Sequence, residues 1–128
     1  MKYMLLIYGD EQALNESEQA ECYVESAQLA QELHARGQYI AAGPLHPTAT
    51  ATSVRVREGH RILTDGPFAE TREQLGGYFL VEAKDLDEAL GIASRLPGAR
   101  NGTVEVRPVM EVEGLPKVEH ASEIHVNA

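Results

Sequence analysis

Hydrophobic residues fill every position from Tyr3 to Tyr8, so both faces of the strand they imply call for burial. Tyr78-Phe79-Leu80-Val81 repeats the pattern. Both stretches therefore predict central strands covered on two sides. Between them the spacing changes: Ala20, Tyr23, Ala27, Ala30 and Leu33 recur at three- or four-residue intervals among Glu and Gln, predicting a helix over residues 16–36 that Gly37 stops. A second helix is predicted after Asp85, an N-cap followed by the acidic first turn Asp87-Glu88. Its buried stripe would be Leu86, Ala89, Leu90, Ala93 and Leu96, and Pro97-Gly98 would end it.

Alternation marks most of the remaining strands. Residues 52–57 and 60–65 flank Glu58-Gly59, which suits a two-residue hairpin turn. Pairing Arg57 with His60 puts Thr52, Val54, Val56, Arg61, Leu63 and Asp65 on one face; Ser53, Arg55, Arg57, His60, Ile62 and Thr64 take the other. Residues 39–44 read as a short extended piece closed by Gly43-Pro44. Residues 103–109 read as a strand with Val104 and Val106 inward, Glu105 and Arg107 on the opposite face. Thr71-Arg72-Glu73-Gln74 has the form of a capping box and predicts one short helical turn before Gly76-Gly77.

The order strand, helix, strands, helix, strand predicts an α+β fold, with two helices on one face of a mostly antiparallel sheet. One domain is expected over residues 1–112, followed by a polar tail over 113–128. The strands apolar on both sides need a second cover, which predicts a homodimer through an isologous interface. The alternative is that the tail folds back over that face, with Glu123-Ile124-His125-Val126 adding an edge strand.

Composition narrows the classes of function. At 128 residues the chain suits a single domain, and a formal charge of -9 opposes unspecific attraction to nucleic acid or anionic lipid. No stretch approaches membrane-spanning length, and the first apolar run is too short for a signal-peptide core. The single cysteine, Cys22, fits a reducing cytoplasm and reads as packing. The histidines, His34, His46, His60, His120 and His125, lack metal-ligand spacing; no metal or cofactor is expected.

The densest signal is Thr64-Asp65-Gly66-Pro67-Phe68-Ala69-Glu70-Thr71, a turn carrying an acid at the end of a strand. Pro67 fixes its own φ and biases Gly66 towards an extended conformation, so Asp65 sits at a rigid corner. The plain structural reading is that its carboxylate accepts backbone N–H groups across the turn. This corner, with Gly43-Pro44, the hairpin from Ala49 to Arg57, Glu73-Gln74-Leu75-Gly76-Gly77-Tyr78, Asp85-Leu86-Asp87-Glu88-Ala89 and Val104-Glu105-Val106-Arg107-Pro108, resembles the YCII-related family and its Asp-Gly-Pro-Phe (DGPF) subgroup. The resemblance spans most of the chain. It implies a ferredoxin-like fold of the dimeric α/β-barrel type. Members of the wider family carry a histidine after the first strand and an aspartate in an Asp-Pro step after the second helix. Here no histidine follows Tyr8 closely and the step is Leu96-Pro97, so that dyad does not carry over. Some relatives are fused to, or lie beside, extracytoplasmic-function sigma factors, which implies a regulatory role in transcription initiation with a sigma factor as partner.

Two constellations are candidates for chemistry. Asp65 and His46 lie in loops beside Gly-Pro corners, and a His–carboxylate pair moves protons near neutral pH. Arg55, Glu105 and Arg107 are expected to project from the polar sheet face, the one facing the predicted partner, where two arginines bind an anionic ligand by bidentate contacts; the plain alternative is an interfacial salt-bridge network with Glu105 or Glu82. An enzyme or small-molecule binder would have a pocket bordered by Asp65, Phe68, His46 and the Arg55/Arg107 face. A regulatory protein would instead present Phe68-Ala69-Glu70 on an acidic surface to a basic partner.

Overall fold

The computed structural model describes residues 1–117; the tail alternative, with residues 123–126, and His120 and His125 lie outside the described residues. Among the described residues six strands and three α-helices follow the order β1 (Lys2–Gly9), α1 (Glu16–Ala35), β2 (Tyr39–Pro44), β3 (Thr52–Arg57), β4 (His60–Asp65), β5 (Gln74–Glu82), α2 (Leu86–Ser94), α3 (Pro97–Asn101) and β6 (Thr103–Pro108), with a short 3-10 turn at Thr48–Thr50 between β2 and β3. The main sheet runs β2-β5-β1-β6 with every neighbouring pair antiparallel. β1 and β2 are therefore parallel with β5 between them, and β5 and β6 are parallel with β1 between them. These are two interleaved split β-α-β units, the strand order of ferredoxin-like folds.

The two strands apolar on both faces are the two central ones. Tyr3, Leu5 and Ile7 of β1 and Phe79 and Val81 of β5 turn towards the helices, where they meet Leu29 and Leu33 of α1 and Ala89, Ile92 and Ala93 of α2, with Leu96. Met4 and Leu6 alternate to the other face, opposite Leu80 and Tyr78 on β5 and Arg107 and Glu105 on β6. Among the described residues no helix covers that face. Removing the side chain of Leu5 or Leu33, both fully enclosed, has a typical cost of about 2–5 kcal/mol.

Helix signals place the starts well and the stripes less well. Asn15 caps α1 through a capping box with Glu18, and Asp85 caps α2 by accepting the Glu88 N–H. The stripe of α2, however, is Ala89, Ile92 and Ala93, followed by Leu96; Leu86 and Leu90 are exposed. Pro97 does not end helical structure either, because it opens α3 at a position where its missing N–H has no intrahelical role. The short helical turn expected at 71–74 is absent: β5 begins at Gln74 and carries Gly76 and Gly77 inside the strand. Gly77 is needed there, since a Cβ would lie 3.0 Å from the carbonyl oxygen of Gly43 on β2.

The β3–β4 hairpin forms its own two-stranded sheet, with Arg57 opposite His60 and Thr52 opposite Asp65 as the alternation predicts. Glu58 and Gly59 have φ of 51° and 78°, the positive pair a type I′ turn requires. The hairpin packs appreciably only against itself. Among the described residues no helix is long and apolar enough to cross a membrane.

Candidate functional site

Helix α1 is tightly seated at one end and lifted at the other. Leu33 and Leu29 fill the space above the sheet, but the same helical stripe continues through Ala30, Ala27, Ser26 and Tyr23, whose small or half-exposed side chains leave room. Below them lie Ile7, Ala42 and Phe79, with Gly43, Pro44, Gly76 and Gly77 where β2 ends and β5 begins. The result is a cavity of about 350 Å³ with an apolar lining. None of its lining residues is charged. Tyr23 and Ser26 bring hydroxyl groups, and neither makes a side-chain hydrogen bond among the described residues. Tyr78 also borders the cavity; its ring packs against Gly43, where a Cβ would meet it at 3.3 Å.

Loops at this end of the molecule are tied down. Glu11, just beyond β1, accepts from the Thr48 N–H at 2.8 Å and the Thr48 hydroxyl at 3.1 Å, which fixes the segment leaving β2. The Leu45 N–H donates to the carbonyl of Gly76, and Arg72 lies 3.8 Å from Asp10. The Gly66 N–H donates to the Ala51 carbonyl at 2.7 Å, and the Ser53 hydroxyl donates to the Gly66 carbonyl at 2.8 Å. Gly66 has a φ of +104°, so the Asp65 corner is not the extended turn its Pro67 suggests but a conformation that favours glycine.

The residues singled out from the sequence are dispersed. Asp65 ends β4, exposed; its carboxylate accepts no hydrogen bond among the described residues, contrary to the structural role a turn aspartate usually takes. His46 is exposed in the loop after β2, likewise without a side-chain partner among them. No hydrogen bond or ion pair joins the two among the described residues. Arg55 lies on β3 opposite Ile62, whereas Glu105 and Arg107 lie on β6 opposite Leu6 and Met4. The two arginines thus belong to separate sheets rather than one shared face. Phe68 is 81% exposed at the corner. The cavity is bordered by none of Asp65, Phe68, His46, Arg55 and Arg107. Its walls are residues that the helix periodicity assigns to ordinary core. The signal for an opening was the run of alanines facing a Gly-Gly strand, small residues on both sides of one contact. Among the described residues no three His, Cys, Asp or Glu side chains gather as metal ligands.

Residues 1–113 match the YCII-related domain. A protein of Rhizobium meliloti (strain 1021), described as uncharacterised, is 38% identical over 118 residues, covering 85% of this chain and 92% of its own. The chain belongs to the YCII-related family. A solved structure with a similar fold is the 5-chloro-2-hydroxyhydroquinone dehydrochlorinase of Burkholderia phenoliruptrix AC1100, in complex with 2,5-dihydroxybenzoquinone. The likeness has a TM-score of 0.53 at 12% identity, over 88% of this chain and 97% of that one, and it concerns the fold alone. In this YCII-related protein the Leu96-Pro97 step opens α3 with both residues buried, which gives it a packing role.

Proposed function

We propose that this YCII-related protein, placed in the Asp-Gly-Pro-Phe subgroup by its corner motif, binds a small uncharged organic molecule in the cavity beneath α1. The observation that carries this reading is the cavity itself: about 350 Å³, apolar, with no charged group in its lining. Pockets of this size and character take ring-sized ligands, oriented by a few polar groups. The Tyr23 and Ser26 hydroxyls are suited to a ring bearing hydroxyl or carbonyl substituents. The dehydrochlorinase with a similar fold has a hydroxylated ring compound as its bound ligand, which makes such rings the natural first probes.

Acid–base chemistry in this reading falls to His46 and Asp65. His46 is two residues beyond Pro44, a lining residue, and the Asp65 corner is tied through Gly66 to the loop that carries His46. Homodimerisation through the open sheet face accompanies the proposal, because Met4, Leu6, Tyr78 and Leu80 form an apolar strip there with no helix above it among the described residues. The regulatory reading rests on the exposed Phe68-Ala69-Glu70 segment and the acidic charge of the chain, and a single exposed aromatic is not a docking surface.

The test is a thermal-shift screen with neutral hydroxylated and carbonyl-bearing six-membered rings, on the wild type and on Ala27→Leu. A ligand that binds only the folded state raises Tm by mass action. Ala27→Leu fills the cavity, so its own Tm should stay within about 5 °C of wild type while the ligand-induced shift disappears. A shift that survives in Ala27→Leu would move the site elsewhere.

A further inference from the structure

The cavity beneath α1 is open on one side. Tyr23, Ala27, Pro44 and Gly76 line it and are exposed, so solvent enters between the first half of α1 and the end of β2. An apolar ring bound there keeps one edge in water, which removes part of the gain from its burial.

The segment that leads from the Asp65 corner into β5 can supply the missing cover. Residues 67–72 are all exposed and belong to no helix or strand. From Pro67 to Thr71 no backbone group makes a hydrogen bond among the described residues. The ties lie at the two ends. Gly66 is held by Ala51 and Ser53 on one side. On the other, Arg72 faces Asp10 at 3.8 Å and Glu73 accepts the Thr103 hydroxyl at 2.8 Å. The stretch between these anchors can therefore change conformation without losing a backbone hydrogen bond, as loops that close over a site do.

Its anchors bring it to the cavity. Asp10 follows Ile7 by three residues and Glu73 precedes Gly76 by three, and both Ile7 and Gly76 are lining residues. Phe68 is four residues from Arg72, so the two Cα atoms are at most about 14 Å apart. The Phe68 ring is 81% exposed. Tyr23 and Leu45 at the opening are 48% and 45% exposed, and Leu45 is held there by its N–H bond to the Gly76 carbonyl. Three apolar side chains thus stand in water within reach of one opening, each offering the others a surface to bury against.

We propose that residues 67–71 are a lid that closes over the occupied cavity, seating the Phe68 ring between Tyr23 and Leu45 and against the bound molecule. This rests on the ligand reading of the cavity and adds Phe68 as a ligand contact. A bound ring supplies apolar surface that the empty cavity lacks, so the closed state gains a contact only when the cavity is filled, and closure is coupled to occupancy. Pro67 suits the movement, because it has no N–H to leave unpaired. In the Asp-Gly-Pro-Phe corner Gly66 is then the anchor and Phe68 the cover.

The chain contains no tryptophan, so Phe68→Trp adds a single indole N–H to the amide spectrum of the full chain. Hydroquinone, a neutral hydroxylated ring, is the probe. It should shift that indole N–H with the same dissociation constant as the amides of residues 23–30, and slow the exchange of the indole proton with water. In Phe68→Trp/Ala27→Leu, where the cavity is filled, the indole signal should stay still. Phe68→Ala should weaken hydroquinone binding roughly fivefold or more, mainly through faster dissociation. A largely exposed ring can be removed without loss of fold, so an unchanged Tm for Phe68→Ala separates a lost ligand contact from unfolding. Amides of residues 23–30 that move while the indole stays exposed, or a Phe68→Ala affinity equal to wild type, would overturn the lid and leave the cavity reading standing. Amides of residues 23–30 that do not respond to hydroquinone would overturn that reading and the lid with it.

Discussion

Gly66 shows how one residue decides whether the Asp65 corner can form. At a φ of +104° its N–H reaches the Ala51 carbonyl and its own carbonyl receives the Ser53 hydroxyl, so the hairpin base is laced to the corner from both sides. A Cβ meets no atom there, and the cost of substitution is conformational. Gly66→Ala should destabilise the corner by about 1 kcal/mol or more. Because the hairpin packs mainly on itself, the loss should appear as faster hydrogen exchange at Ser53 and Thr64 before it lowers the Tm of the body. Unchanged exchange at those amides would show that the corner tolerates a side chain. The motif made a turn with an acid legible in the sequence. The sign of φ was not, because Pro67 restricts its neighbour towards extended conformations and only the hydrogen bonds to Ala51 and Ser53 select the other.

Elements were read better than their faces. The double-sided strands came out central because continuous apolar sequence admits few alternatives, and hairpin register followed from a two-residue turn. Helical stripes misled where small residues line an opening: Tyr23, Ala27 and Ala30 carry the periodicity of a core, yet they wall a cavity. Leu29 escaped because it stands beside that stripe, and Ile92 because Leu86 and Leu90 fit the period equally well. Between the helices the sequence gives no sign of the two ion pairs that strap α1 down: Arg95 on Glu32, and Arg100 on Glu25 at 2.8 Å. Hydrogen bonds from these guanidinium groups hold both glutamates below their ordinary value of 4.5. Carboxyls lowered in the folded state contribute stability above their unfolded value, and that contribution is lost as pH falls through the folded one. An Arg95→Gln/Arg100→Gln variant should therefore melt slightly below wild type at pH 7, with the gap closing as pH drops below 4.5. The effect is small because both pairs are exposed, and added salt should shrink it further. A gap independent of pH would mean that the arginines act by packing their stems.

For the molecule as a whole, the ferredoxin-like order puts helices on one face of the sheet and leaves a strip of apolar residues on the other. The cavity lies between α1 and the sheet, at the end where β1 and β2 finish and β5 begins. Its position could not be read from the chain, because it depends on how far α1 stands from β2 and β5. That distance is set by residues far apart in the sequence, such as Ala27 on α1 and Gly77 on β5. The central claim is that this cavity is a ligand site, and amide chemical-shift mapping tests it most directly. A neutral hydroxylated ring compound titrated into labelled wild-type protein should move the amides of residues 23–30 and 76–79 together, with one dissociation constant. Movement confined to the hairpin and the 65–68 corner, with the α1 amides still, would contradict it.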